Sequence, residues 1–164
     1  MKIAEINALD REAFVARFGF LFEHSPWIVE AAADRRPFAD AEAMQGALMA
    51  VVADSPEEAR LALLRAHPEL AKKVAMTAES TAEQSSAGLD RLNREEFERF
   101  HQLNEAYSAK FGFPFIICVR LTDKAGILAA MEIRAGNRAE TELNTALKEV
   151  GKIVQLRLKD VMSE

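Results

Sequence analysis

The chain has one cysteine, Cys118, and three histidines, His24, His67 and His101, in 164 residues. A lone cysteine excludes an intrachain disulfide and fits a reducing compartment. Histidines this scattered, with a single thiol, give no zinc-type spacing, so no metal site is expected. Charge of one sign is not in large excess: 21 Lys and Arg face 26 Asp and Glu, a net charge of -5. That balance argues against a general nucleic-acid binder, which carries a basic face. No apolar run is long enough to cross a bilayer, so no membrane association is expected. The first residues, Met1-Lys2-Ile3-Ala4-Glu5-Ile6-Asn7, lack the apolar core of a signal peptide. The last, Val161-Met162-Ser163-Glu164, are not a peroxisomal Ser-Lys-Leu address. A cytoplasmic location is the expectation. Gly-rich phosphate loops, nucleophile elbows, repeats and low-complexity tracts are all missing. One domain over residues 1–164 follows from length, with enough chain to bury a core unaided.

What is present is helical periodicity. Asp10 is placed to cap a segment whose Phe14, Val15 and Phe18 share a face, with Gly19 as its break. Ser25-Pro26 reads as the cap and first turn of the next helix, with Pro37 ending that segment. Asp40 opens a stripe of Met44, Ala47, Leu48, Val51 and Val52. Ser55-Pro56-Glu57-Glu58 reads as a cap followed by a helix to about Ala66. The stretch 76–86 fits loop or short helical turns. Asn93 or Asp90 begins a helix to Lys110 that Gly112 and Pro114 stop. Thr122 is expected to cap a helix ending near Gly136. Asn137 or Arg138 begins the longest one, through Leu143, Leu147, Val150, Val154 and Leu158. The expectation is an all-α single-domain bundle of about seven to nine helices, with one extended segment, Phe115 to Val119.

Three interruptions of this pattern carry the chemistry. At Ala66-His67-Pro68-Glu69-Leu70-Ala71, a proline disfavours helical geometry in the residue before it, so His67 stands at a helix exit. Its imidazole suits proton transfer near neutral pH. On position alone, capping the last carbonyls of its helix is the plainer reading. His24 and His101 read as structural and solvated. At Glu83-Gln84-Ser85-Ser86-Ala87-Gly88-Leu89, a carboxylate adjoins an amide able to read a ureido group. Ser80-Thr81-Ala82-Glu83 also fits a capping box, and the two readings are compatible. At Phe111-Gly112-Phe113-Pro114-Phe115-Ile116-Ile117-Cys118-Val119-Arg120, a solitary β-prone run must find partners for its backbone or offer those groups to a ligand. Cys118 reads as a buried apolar residue rather than a nucleophile. Arg157, between Leu156 and Leu158, either snorkels or pairs with an acid, or presents a fixed charge to an anion.

In order and spacing these segments resemble the 2-oxo-4-hydroxy-4-carboxy-5-ureidoimidazoline (OHCU) decarboxylases of urate breakdown. The resemblance also takes in Phe22-Glu23-His24-Ser25-Pro26-Trp27, Tyr107-Ser108-Ala109-Lys110 and Ile153-Val154-Gln155-Leu156-Arg157-Leu158. It implies an all-helical, commonly homodimeric enzyme that converts OHCU to (S)-allantoin and carbon dioxide without a cofactor. It also implies a functional link to urate oxidase and hydroxyisourate hydrolase. By the same resemblance His67 and Glu83 are catalytic. Pro68, Ser80, Thr81, Ala82, Glu83, Gln84, Phe115, Ile116, Ile117, Cys118, Val119 and Arg157 contact substrate. The competing expectations are a non-catalytic ureide-binding or protein-interaction helical module, and a hydrolase of a related ureide.

Overall fold

The computed structural model describes residues 1–71 and 78–162. Among these there are nine α-helices, two short 3-10 turns and no strand. The fold is all-α. The chain forms two compact units, one of Met1–Leu63 with Gly151–Glu164 and one of Leu64–Val150.

The first unit holds α1 (Ile3–Ala8), α2 (Arg11–Phe18), a 3-10 turn Gly19–Leu21, α3 (Trp27–Ala33), α4 (Ala41–Ala53), nearly all of α5 (Glu57–Arg65) and the second half of α9 (Ala139–Val161). Asp10 and Asp40 cap α2 and α4 as expected, accepting from the Ala13 and Ala43 amides at 2.7 and 2.8 Å. Two expected serine caps are absent. Ser25 donates its hydroxyl to the Glu23 carbonyl, and Ser55 donates to the Val52 carbonyl at the end of α4. A hydroxyl is a donor as well as an acceptor, and both serines spend the donor on the chain behind them. The helix α1 was not anticipated from periodicity, and α3 stops at Ala33, ahead of Pro37. α3 packs on α2 and α4. The core is Phe14, Phe18, Phe22, Ile28, Met44 and Leu48, all buried.

The second unit holds α6 (Ala78–Ser86), α7 (Arg94–Phe111), a 3-10 turn Val119–Leu121, α8 (Lys124–Arg134) and the first half of α9. Of the stretch read as loop or helical turns, 78–86 is helix, and 76–77 lie outside the described residues. Asn93 caps α7 through a reciprocal capping box with Glu96. Gly112 closes the helix at a left-handed φ of 77°, the conformation glycine adopts at least cost. At α8 the cap is Asp123, accepting from Gly126, and not Thr122. Ser80 lies inside α6, so it opens no capping box with Glu83.

α7 packs on α8 over an aromatic cluster. Tyr107 lies tilted against Phe111, ring centroids 4.5 Å apart, and meets Phe115 edge-on at 5.3 Å. A buried polar knot sits against these rings. Glu142, with no exposed surface, accepts from the Tyr107 hydroxyl at 2.6 Å and from Arg134 Nε at 2.8 Å. Arg134 also donates to the Ile116 carbonyl at 2.7 Å and lies over the Phe115 ring at 4.3 Å. The extended segment is thereby tied to α8 and α9 without a strand partner.

Candidate active site

The segments singled out by their broken periodicity meet in the second unit, around α6. His67 follows α5, its amide donating to the Leu64 carbonyl at 3.2 Å, and is half-buried. The residues after it run through a turn that includes Ala71 at a left-handed φ of 63°. Two side-chain amides hold that turn. Gln84 Oε1, from α6, accepts from the Ala71 amide at 3.1 Å. Asn104 Nδ2, from α7, donates to the Leu70 carbonyl at 2.9 Å. Ser108, one helical turn further along α7, reaches the Glu69 carboxylate at 3.5 Å.

The periodicity of α6 divides the expected contact segment. Ser80 and Gln84, four residues apart, are buried, and Glu83 is half-buried beside them. Thr81 and Ala82 are exposed. α6 packs against the Val119–Leu121 turn, where Arg120 Nη1 lies 4.0 Å from Glu83 Oε2. Gln84 therefore ties α6 to the His67 turn, while Glu83 faces the end of the extended segment.

In that segment Phe115, Ile116, Cys118 and Val119 are buried, and Ile117 is the most accessible of the five. Several of its backbone groups are already engaged. The Ile116 carbonyl takes Arg134, the Cys118 amide donates to the buried Glu149 carboxylate at 3.1 Å, and the Cys118 and Val119 carbonyls accept from the Leu121 and Thr122 amides at 3.1 and 3.3 Å. Burial pushes the Cys118 thiol up from its ordinary range, and the Glu149 carboxylate adds to the shift. The thiol stays protonated at neutral pH, as expected of a residue that packs rather than attacks.

Arg157 belongs to the first unit, where it is buried and pairs with an acid, one of its expected roles. Its Nη1 donates to the Phe20 carbonyl at 2.9 Å, and its Nη2 lies 3.6 Å from the fully buried Glu23 carboxylate. His24, at a φ of 51°, is beside the Glu23 carboxylate at 3.8 Å. His101 is exposed and faces Glu105 at 3.3 Å. No cluster of three or more His, Cys, Asp or Glu able to hold a metal occurs among the described residues.

Sequence reasoning missed Asn104 as a partner of the His67 turn, and Arg134, Glu142 and Glu149 as supports of the extended segment. A signal for two of them was present. Glu142, Glu149 and Arg157 share the buried stripe of α9 with Ala146, Val150, Val154 and Leu158. A charge on an apolar stripe marks a buried polar contact.

The family model described as OHCU decarboxylase matches residues 7–159. An OHCU decarboxylase of Haloferax volcanii is 44% identical over 163 residues, covering 99% of this chain and 97% of that relative. The uric acid degradation bifunctional protein PucL of Bacillus subtilis is 37% identical over 160 residues, which cover 98% of this chain but 32% of that protein. Among solved structures, an (S)-allantoin synthase superposes with a TM-score of 0.80 at 29% identity, covering 98% of this chain and 54% of the other. A match running nearly end to end, over a helical fold that gathers the His67, Glu83-Gln84 and Phe115–Val119 segments, places the chain in the OHCU decarboxylase family.

Proposed function

We propose that this protein decarboxylates OHCU to (S)-allantoin and carbon dioxide, with His67 and Glu83 as its catalytic residues. The observation that carries the reading is the convergence on α6 of the His67 turn and the end of the extended segment. An imidazole, a carboxylate and a fixed length of backbone suit a small polar substrate with a ureido group.

The reaction breaks the bond between the ring carbon and its carboxylate. Carbon dioxide leaves, and the electron pair moves into the bond to the ureido-bearing carbon while the ring C=N bond opens and its nitrogen takes a proton. The substrate hydroxyl, on losing its proton, is then an enolate oxygen. A proton is added at the ureido-bearing carbon, and the enolate becomes the new carbonyl of allantoin. Hydrogen-bond donors fixed in advance stabilise such an oxyanion without reorganisation, so the proposed chemistry calls on no cofactor. His67 adjusts the proton of the substrate hydroxyl or delivers one to the new carbanion, and delivery from one side gives one enantiomer. With the Cys118 amide given to Glu149, the proposal assigns the backbone contact to the accessible Ile117 and its neighbours Phe115, Ile116 and Val119. Pro68, Ser80, Thr81, Ala82 and Gln84 complete the proposed substrate contacts of this unit. Arg157, held by Glu23, enters the proposal through family resemblance only.

The finer expectations belong to the same proposal: one domain over residues 1–164, a homodimer, a cytoplasmic location, and a functional link to urate oxidase and hydroxyisourate hydrolase. The link is supported by the similarity to a bifunctional protein of uric acid degradation. That no described helix is long and apolar enough to cross a membrane agrees with an enzyme acting on a polar metabolite.

The test is a circular dichroism time course on urate treated with urate oxidase and hydroxyisourate hydrolase. Optically active (S)-allantoin forming rapidly only with this protein supports the decarboxylase. Racemic allantoin at the uncatalysed rate, with the protein folded, sinks it in favour of a ureide-binding module. An optically active product formed without carbon dioxide release would indicate a hydrolase.

A further inference from the structure

We propose that Asn104 is a positioning residue for His67, acting through the backbone of the turn that follows it. The inference rests on the decarboxylase reading and adds a residue to it.

Asn104 sits in the middle of α7 and is 2% exposed. A buried asparagine inside a helix is poor for both helix propensity and desolvation, so its contacts must compensate. Its Nδ2 donates to the Leu70 carbonyl at 2.9 Å, in a bond shielded from water. Its Oδ1 is buried and accepts no hydrogen bond among the described residues. The side chain is thus held for its donor alone, and a packing role would be served better by leucine.

The Leu70 carbonyl is three residues from His67, and the turn between has little freedom. Pro68 fixes one φ. Ala71 sits in the left-handed region, where an L side chain is strained, so the turn must be held from outside. The restraints come from two helices. Asn104 takes the carbonyl of Leu70, and Gln84 takes the amide of Ala71, the next residue. One side chain donates and the other accepts, so they grip successive backbone groups of the turn from α7 and α6. Releasing the Asn104 side lets the turn pivot on Gln84 and carries the His67 imidazole off its line to the substrate. Substrate contacts made by α6 itself would be untouched.

The experiment measures kcat and KM for OHCU with wild type, Asn104→Leu and Asn104→Ala. The imidazole signals of the three histidines are followed by NMR across pH. The expected result is a fall in kcat of roughly a hundredfold with KM little changed, the scale of a misplacement of about 1 Å. The His67 signal should shift in position and titration while that of His24, in the first unit, stays fixed. Asn104→Ala guards against failure of the leucine variant to pack. A folded variant with kcat close to wild type overturns the proposal. So does a lost kcat with an unmoved His67 signal, which would mean only general loosening. Wild type that makes no (S)-allantoin would instead remove the decarboxylase reading, and the NMR comparison would still decide whether Asn104 positions His67.

Discussion

Ala71 holds a left-handed φ of 63° with a side chain that makes the conformation costly. Its amide, not its methyl group, is what Gln84 binds. Ala71→Gly should therefore keep the turn and kcat while raising stability by up to about 1 kcal/mol, the strain relieved less the entropy glycine adds to the unfolded chain. Urea denaturation measures the gain, and a marked loss of activity would mean that the methyl group itself helps to hold the turn. His67→Ala should lower kcat by roughly a hundredfold or more, the usual share of a general acid or base. Its far-ultraviolet circular dichroism should match wild type. Turnover close to wild type would take His67 out of the mechanism.

At the scale of the element, the helix starts divide by chemistry. Asp10, Asp40, Asn93 and Asp123 cap their helices through side-chain oxygens. Ser25 and Ser55 spend their hydroxyls on carbonyls behind them. A carboxylate can only accept, and its charge complements the helix N-terminus, so Asp10 and Asp40 were legible in sequence where the serines were not. Thr122 is displaced from the cap of α8 by the aspartate beside it, and it creates a second constraint. A Cβ added at Gly126 would lie 2.1 Å from Thr122 Oγ1. In an ordinary helix position Gly→Ala gains about 1 kcal/mol. Here Gly126→Ala should lower or leave unchanged the melting temperature alone, and raise it when made in a Thr122→Ala background. Calorimetry on the four proteins of this cycle reads the coupling, and additive effects would show that the threonine simply swings away.

Over the whole molecule, the all-α class, most helix positions and the three interruptions were readable because each rests on local patterns. The polar supports were not. Arg134 meets the extended Ile116 across 18 positions, and Asn104 meets Leu70 across 34, so nothing near either residue announces its partner. The clustering of buried donors and acceptors gives the fold a pH signature. Burial first, then the hydrogen bond to Glu142, holds the Tyr107 hydroxyl well above its ordinary value of 10.0. The unfolded chain thus loses this proton first as pH rises. The stability tied to it is complete below about pH 10 and falls as pH climbs from there toward the folded-state value. Cys118 acts in the same direction from its ordinary 9.0. Tyr107→Phe should be less stable near neutrality by about 1–3 kcal/mol, since Glu142 loses a buried donor, and should show a shallower decline above about pH 10. Urea midpoints between about pH 7 and 11 check both, and parallel pH curves would contradict the assignment.

The first unit is built from two stretches that the chain makes at very different times. Glu23, fully buried in the finished protein, meets the Arg157 guanidinium that lies near the far end of α9. At ribosomal rates of about 5–20 residues per second, the carboxylate waits on the order of ten seconds for its cation to be synthesised. The helices around it emerge first, but burying the carboxylate before its buried guanidinium exists carries a large desolvation cost. Leu64–Val150 is contiguous and has no such wait. During synthesis the middle of the nascent chain should therefore become protease-resistant before its beginning, and the arginine added near the end acts as the signal that completes the N-terminal part.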